Sequence, residues 1–323
     1  MNSKRPIVIA LGGNALIDPD KPPTVDNQTL VAERVVRPIA ELISRGERVV
    51  ITHGNGPQVG FMALRSEVGR DVVHEVPLDA LVANTQGSLG YLMQRALREA
   101  LSLRGMNMPV ISVLTEVEVD PDDEAFGAPT KPIGGFYTAL EAKLLASERG
   151  WTMIEDAHRG YRQVVASPTP TSIVQIETIK ALSATGTVVI CCGGGGIPVV
   201  RASDGSLRGV IGVIDKDRTS ALLSVAINAS QLFLTTAVDR VYANFGTPEQ
   251  RPLGKLTVEE ALALIDTGEL PAGSMGPKVK SATRFIVHGG QQAVICHPSS
   301  LVAAFEGREG TRICAAESSD GLG

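Results

Sequence analysis

Apolar residues fall into short unbroken runs along this chain. Each run ends in glycines or other turn residues, and a stretch of helical period follows. Ile7–Leu11 ends in Gly12-Gly13-Asn14, and Val49–Thr52 ends in His53-Gly54-Asn55-Gly56. Thr187–Cys192 ends in Gly193 to Gly196, and Leu232–Thr235 ends near Thr236 and Asp239. Runs this short and without alternation predict strands buried on both faces. Helices are predicted at Gln28–Arg45, stopped by Gly46 and bent at Pro38, and at Leu78–Leu103, where Gly87–Gly90 is a point of possible breakage. Further helices are expected at Arg218–Ile227 and Met275–Val287, and Thr257 with Glu260 forms a capping box that opens another. Alternation of strand and helix makes βαβ units, so the fold class is α/β with a mostly parallel sheet.

One segment breaks this rhythm. From about Ala128 to Pro170 the chain is polar and loop-rich, with the only Trp, Trp151, and a short helical patch at Thr138–Ser147. It reads either as a lid-like insertion beside the main sheet or as a surface excursion. The Ser/Gly-rich tail after Ala315 is expected to fray.

Composition fits this architecture. Hydrophobic residues make up 43% and aromatics 4%, with 34 Gly and 19 Pro, as suits a core of small aliphatics threaded by turns. A net charge of −5 argues against nucleic acid or an acidic membrane as partner, so any anion site must be a local arrangement. The four cysteines, Cys191, Cys192, Cys296 and Cys314, match neither a zinc spacing nor a disulfide framework. The N-terminal apolar run is too short for a signal peptide, and no run has the about 18 residues of a membrane helix. A cytoplasmic protein with reduced thiols is expected.

Candidate chemistry begins with the glycines. In a parallel sheet ligands bind at the C-terminal ends of strands, where three of these clusters sit. Glycine lets the backbone approach a phosphate and turn its N–H groups toward it, and a helix starting just after adds its dipole. Neither a GxxxxGK[ST] loop nor a GxGxxG fingerprint is present. Three lysines lie in loop contexts: Lys131 in Pro129–Gly134, Lys216 between Asp215 and Asp217, and Lys278 after Gly273–Pro277. Singly, each reads as a solvated surface lysine; together they could neutralise a phosphoryl group in transfer. Asp215 and Asp217 would orient Lys216, meet Mg²⁺ or favour a helix N-terminus. His53 is given a packing or hydrogen-bonding role.

Taken together, Ala10–Leu16, Thr52–Gly60, Pro77-Leu78-Asp79, Thr85-Gln86-Gly87, Pro129–Gly134, Gly193–Val199, Val213–Asp217, Val238–Phe245 and Gly273–Val279 resemble the carbamate kinases of the amino acid kinase family. The resemblance runs in order from Ile7 to about Ile313. It implies a three-layer αβα sandwich on an open eight-stranded sheet with a small protruding subdomain, usually as a homodimer. By that similarity the whole chain, 1–323, is one unit. About 1–190 would hold carbamate or carbamoyl phosphate, about 128–170 would protrude as a lid, and about 191–323 would hold ATP or ADP with Mg²⁺.

The same resemblance implies the site. Gly12, Gly13, Asn14, Gly54 and Asn55 would face phosphate and carbamate. Lys131, Lys216, Lys278 and Asp215 would be catalytic. Gly193, Gly194, Asp239, Tyr242, Met275 and Gly276 would join Lys216 and Lys278 along the nucleotide. Carbamate is already an anion and needs no general base, which agrees with glycine loops and lysines in place of an acid–base pair. The implied reaction is reversible phosphoryl transfer between ATP and carbamate, serving ATP production in arginine or other nitrogen catabolism. Three positions depart from the family pattern: Gln163 where an Arg is common, Ala166 where Pro is common and Ile211 where Glu is common. They leave open a kinase for another small carboxylate or carbamate, or a weakly catalytic binding protein with a regulatory role.

Overall fold

A computed structural model describes residues 4–18, 20–156, 160–270 and 275–316, and in it the apolar runs become strands of one eight-stranded sheet. The strand order is Lys255–Thr257, Thr311–Cys314, Gln292–Cys296, Gln231–Thr235, Ile7–Leu11, Val49–His53, Val188–Ile190 and Val110–Ser112. Every neighbouring pair is parallel except Gln292–Cys296 against Thr311–Cys314. His158, Gly273, Ser274, the Asn14 side chain and the tail beyond Ala316 lie outside the described residues.

Both faces of the central strands are buried, and successive side chains enter two different cores. Val8, Ala10, Val50, Leu232 and Leu234 pack with Leu223, Val279 and Phe285 on one face. Ile7, Ile9, Ile51 and Phe233 pack with Val36, Ile39, Met93 and Leu97 on the other. Each such buried aliphatic or aromatic side chain contributes about 1.5–3 kcal/mol relative to exposure. The chain is therefore a helix–sheet–helix sandwich. The Val25–Ser44 and Leu78–Ser102 helices lie on one face, and Lys216–Ala226 with Met275–Val287 on the other.

Helix boundaries show what local chemistry decides. The first helix starts before the expected Gln28 because Thr24 caps it, accepting a hydrogen bond from the Asn27 amide, and it runs on through Pro38. Leu78–Ser102 is unbroken across Gly87–Gly90. Gly90 serves packing there: a Cβ on it would lie 2.0 Å from Ser112 Oγ, so only glycine lets the helix rest on the edge strand. Thr257 and Glu260 form the expected capping box.

The segment after Ala128 is an insertion with its own sheet, in the order Lys131–Tyr137, Tyr161–Val165, Thr152–Glu155, and the Ala139–Arg149 helix. It stands on the Gly56–Gly69 helix, where Tyr137 donates to Glu67 over 3.1 Å and Arg149 lies 3.8 Å from Glu67 and Glu75. A further four-stranded sheet, Leu207–Gly209, Ile197–Arg201, Glu116–Val119 and Pro170–Ile173, flanks the body. The apolar pattern foretold the strands of neither of these two sheets.

Candidate active site

The C-terminal ends of the central strands open into a cavity of about 1230 Å³. Its floor is made of backbone. After Ile7–Leu11 the chain turns at Gly12-Gly13, and the Gly12 amide donates to Thr235 Oγ1 over 3.0 Å. Gly54 presses on this turn so closely that a Cβ there would sit 2.6 Å from the Gly13 nitrogen. The helix that starts at Gly56, with Pro57 in its first turn, points its free N–H groups into the same space.

From the glycine run at 193–196, Gly194 lines one wall. Cys192 adopts the left-handed region at φ 52°, followed by Gly194 at 68°. A Cβ on Gly194 would lie 2.3 Å from Asn55 Nδ2, so glycine is required by both torsion and space. Gly193 instead packs against His53 and Gln86 and does not line the cavity. His53 is buried, with its Nδ1 3.0 Å from the Gly54 carbonyl, and burial pushes its pKa down despite that bond. It is thus a neutral packing and hydrogen-bonding residue.

Three lysines reach the cavity from separate elements, and two aspartates hold them. Asp215 caps the Lys216–Ala226 helix, its Oδ1 accepting from the amides of Asp217 and Arg218. Its Oδ2 lies 3.1 Å from Lys131 Nζ, which comes from the insertion. Asp217 takes Lys216 on Oδ1 at 2.5 Å and Lys278 on Oδ2 at 2.9 Å.

Burial opposes charge on Asp215, Asp217, Lys216 and Lys278, and for the first three their oppositely charged neighbours outweigh it. It works against ionisation of Asp217, but Lys216 and Lys278 outweigh it and keep the carboxyl far below its usual range. Asp215 is lowered in the same way, with Lys131 overcoming its burial. Lys216 is raised, because Asp217 and Asp215 outweigh its burial. Lys278 goes the other way: burial, then repulsion by Lys216, push it down to about 8.

On the far side Tyr242 and Phe245, ring centroids 6.0 Å apart, and Met275 give an apolar lining suited to a base. Asp239 stands behind this wall and accepts from the Tyr242 hydroxyl over 2.8 Å. The structure thus gathers Gly12, Gly13, Gly54, Asn55, Lys131, Gly194, Asp215, Lys216, Tyr242, Met275 and Lys278 around one space. Gly193, Asp239 and the buried Gly276 do not line it.

Sequence reasoning underrated Asp217, the shared partner of two lysines, and missed the His297–Ser299 rim. The rim follows the Gln292–Cys296 strand, so recognition of that strand would have pointed to it by the strand-end rule.

Comparison with known proteins agrees with this geometry. Residues 5–297 match the amino acid kinase family. Carbamate kinase of Pyrococcus horikoshii is 44% identical over 309 residues, covering 95% of this chain and 98% of its own. The carbamate kinase-like protein YqeA of Escherichia coli is 45% identical over 312 residues, again 95% and 98% of the two chains. The solved structure of carbamate kinase from Giardia lamblia bound to AMP-PNP matches with a TM-score of 0.91 at 39% identity, covering 98% of this chain and 100% of that one. The chain belongs to the amino acid kinase family and, within it, to the carbamate kinases.

Proposed function

We propose that this chain catalyses reversible phosphoryl transfer, ATP + carbamate ⇌ ADP + carbamoyl phosphate. The observation that carries the reading is the convergence of Lys131, Lys216 and Lys278 on one cavity floored by glycine backbone. A carboxylate oxygen of carbamate attacks the γ-phosphorus, and the bond from that phosphorus to the bridging oxygen of ADP breaks. Neither step moves a proton, so catalysis rests on in-line positioning and charge neutralisation. Gly12, Gly13, Asn14, Gly54 and Asn55 surround the acceptor and the moving phosphoryl group. The lysines spread over its oxygens, while Asp215 and Asp217 fix their reach. Tyr242, steadied by Asp239, and Met275 take the nucleotide. The half before about residue 190 is thus the acceptor side and the later half the nucleotide side, with the insertion bringing Lys131 over both.

Mg²⁺ belongs to the substrate in this scheme, since the nucleotide arrives as its magnesium complex. The carboxylates of Asp215 and Asp217 are committed to lysines, and among the described residues no cluster of acidic, His or Cys side chains makes a metal cage.

Because the product is an acyl phosphate, the same site can make ATP from carbamoyl phosphate, as nitrogen catabolism requires. A homodimer is part of the proposal: the sheet ends at Val110–Ser112, an unpaired edge with Ile111 and nearby Leu114 exposed. So is a cytoplasmic setting; no described helix is long and apolar enough to cross a membrane. Gln163, Ala166 and Ile211 do not line the cavity and lend no support to a different acceptor.

The test mixes purified protein with ADP, Mg²⁺ and carbamoyl phosphate and follows ATP. Rapid ATP formation is expected. Folded, ADP-binding protein that forms none would overturn the reading.

A further inference from the structure

Thr85 and Asn55 meet behind the acceptor side of the cavity, and their hydrogen bonds admit one arrangement. Thr85 is fully buried on the Leu78–Ser102 helix. Its hydroxyl lies 2.7 Å from the Val82 carbonyl, which can only accept, so the single hydroxyl proton is committed there. Toward Asn55, 2.7 Å away, Thr85 Oγ1 can therefore only accept, and the atom facing it must be Nδ2. A flipped carboxamide would set two lone-pair oxygens against each other. Gly194 packs on the same carboxamide.

This lock has a chemical consequence. Asn55 Oδ1 accepts no hydrogen bond from the described residues, and Asn55, 3% exposed, lines the cavity. The site therefore offers a fixed acceptor beside Gly194. A phosphate oxygen is itself an acceptor and is repelled by it, so Oδ1 suits the other end of an acyl phosphate. Among small carboxylates of similar shape, carbamate carries N–H donors, and acetate carries a methyl group in their place.

We propose that Thr85 is a specificity-determining positioning residue, which holds the Asn55 carboxamide so that Oδ1 accepts a hydrogen bond from the amino group of carbamate or carbamoyl phosphate. The inference rests on the reaction proposed above and adds how that reaction selects its acceptor. It also gives the Thr85-Gln86 motif a division of labour. Gln86 pairs with the backbone of Thr115 and with the Gly193 carbonyl to hold the glycine wall, and Thr85 orients the carboxamide packed against it.

The experiment compares ATP formation from ADP and Mg²⁺ with carbamoyl phosphate and with acetyl phosphate, taking the ratio of the two kcat/KM values. The wild-type ratio is expected to favour carbamoyl phosphate strongly. Thr85→Val keeps the shape and removes the hydroxyl, freeing the carboxamide to turn, and the ratio is expected to fall about tenfold or more. Thr85→Ser retains the hydroxyl and is expected to keep the ratio within about threefold of wild type. A merely structural role would slow both acyl phosphates alike and leave the ratio in place, and that result overturns the inference. If Thr85→Val does not fold, Thr85→Ala removes the same hydroxyl and is read by the same ratio. Wild-type protein that makes no ATP from carbamoyl phosphate overturns the reaction and the inference together. An active wild type with an unchanged Thr85→Val ratio overturns the inference alone.

Discussion

Asp217 and Lys278 form a buried ion pair, Oδ2 to Nζ 2.9 Å, although 61 positions separate them in the chain. Lys216 occupies the other oxygen of the same carboxylate, so one anion keeps two cations together beneath the cavity. Asp217→Asn would leave two buried ammonium groups facing each other without it. Removing one partner of a buried pair typically costs about 3–5 kcal/mol. The variant is expected to show a clearly lower urea midpoint and a turnover reduced more than about tenfold. An unchanged midpoint would mean that the lysines have no need of this anion.

The same cluster sets an alkaline limit. Burial and the neighbouring Lys216 bring Lys278 down to about 8, so Lys278 loses its proton first as pH rises, while Lys216 is held above its ordinary value. Loss of that charge weakens the grip on phosphate. The kcat/KM for ADP reports the free enzyme and is expected to fall as pH rises through about 8. In kcat, which reports the loaded enzyme, the fall should move to higher pH, because nucleotide phosphates favour the ammonium form. Profiles from about pH 6.5 to about pH 10 would check this, and a flat kcat/KM across that range would contradict it.

Much of the sheet was legible because its central strands are buried on both faces. Ile7–Leu11 has no polar position, and its bounds came out as expected. Met275–Val287 was equally clear from its helical period. Glu116–Val119 alternates Glu with Val and is half exposed, while Lys131–Tyr137 holds a Pro and two Gly, and partner strands alone make them strands. The lysines could be found from their Gly- and Pro-rich settings. The service of Asp217 to both Lys216 and Lys278 could not, because it depends on tertiary packing that brings two helix starts together.

Lys216 lies along the cavity floor, its Cδ 3.0 Å from where a Gly54 Cβ would stand. That path carries its ammonium group past the glycine turn, where the phosphoryl group would move. Lys216→Ala is expected to lower kcat more than about tenfold, equivalent to at least about 1.4 kcal/mol of transition-state stabilisation. ADP binding, followed by calorimetry, should persist through Lys278 and the Tyr242 side. Near-normal turnover would remove Lys216 from the mechanism.

Gly54 and Gly56 are two residues apart in one loop, yet the structure demands glycine at only one of them. A Cβ on Gly54 would meet the Gly13 nitrogen at 2.6 Å and its Cα at 2.9 Å, both backbone atoms of the opposing turn. Neither loop can yield without displacing the floor of the cavity. Gly54→Ala is thus expected to destabilise by about 1–3 kcal/mol, as overpacking does, and to suppress ATP formation. A Cβ on Gly56 would find nothing within 4 Å, and the position begins a helix, where alanine is the better helix former. Gly56→Ala should keep or slightly raise the thermal midpoint. Equal midpoints for the two variants would show that the contact between the turns is slack, and that the glycine loops are not held by each other.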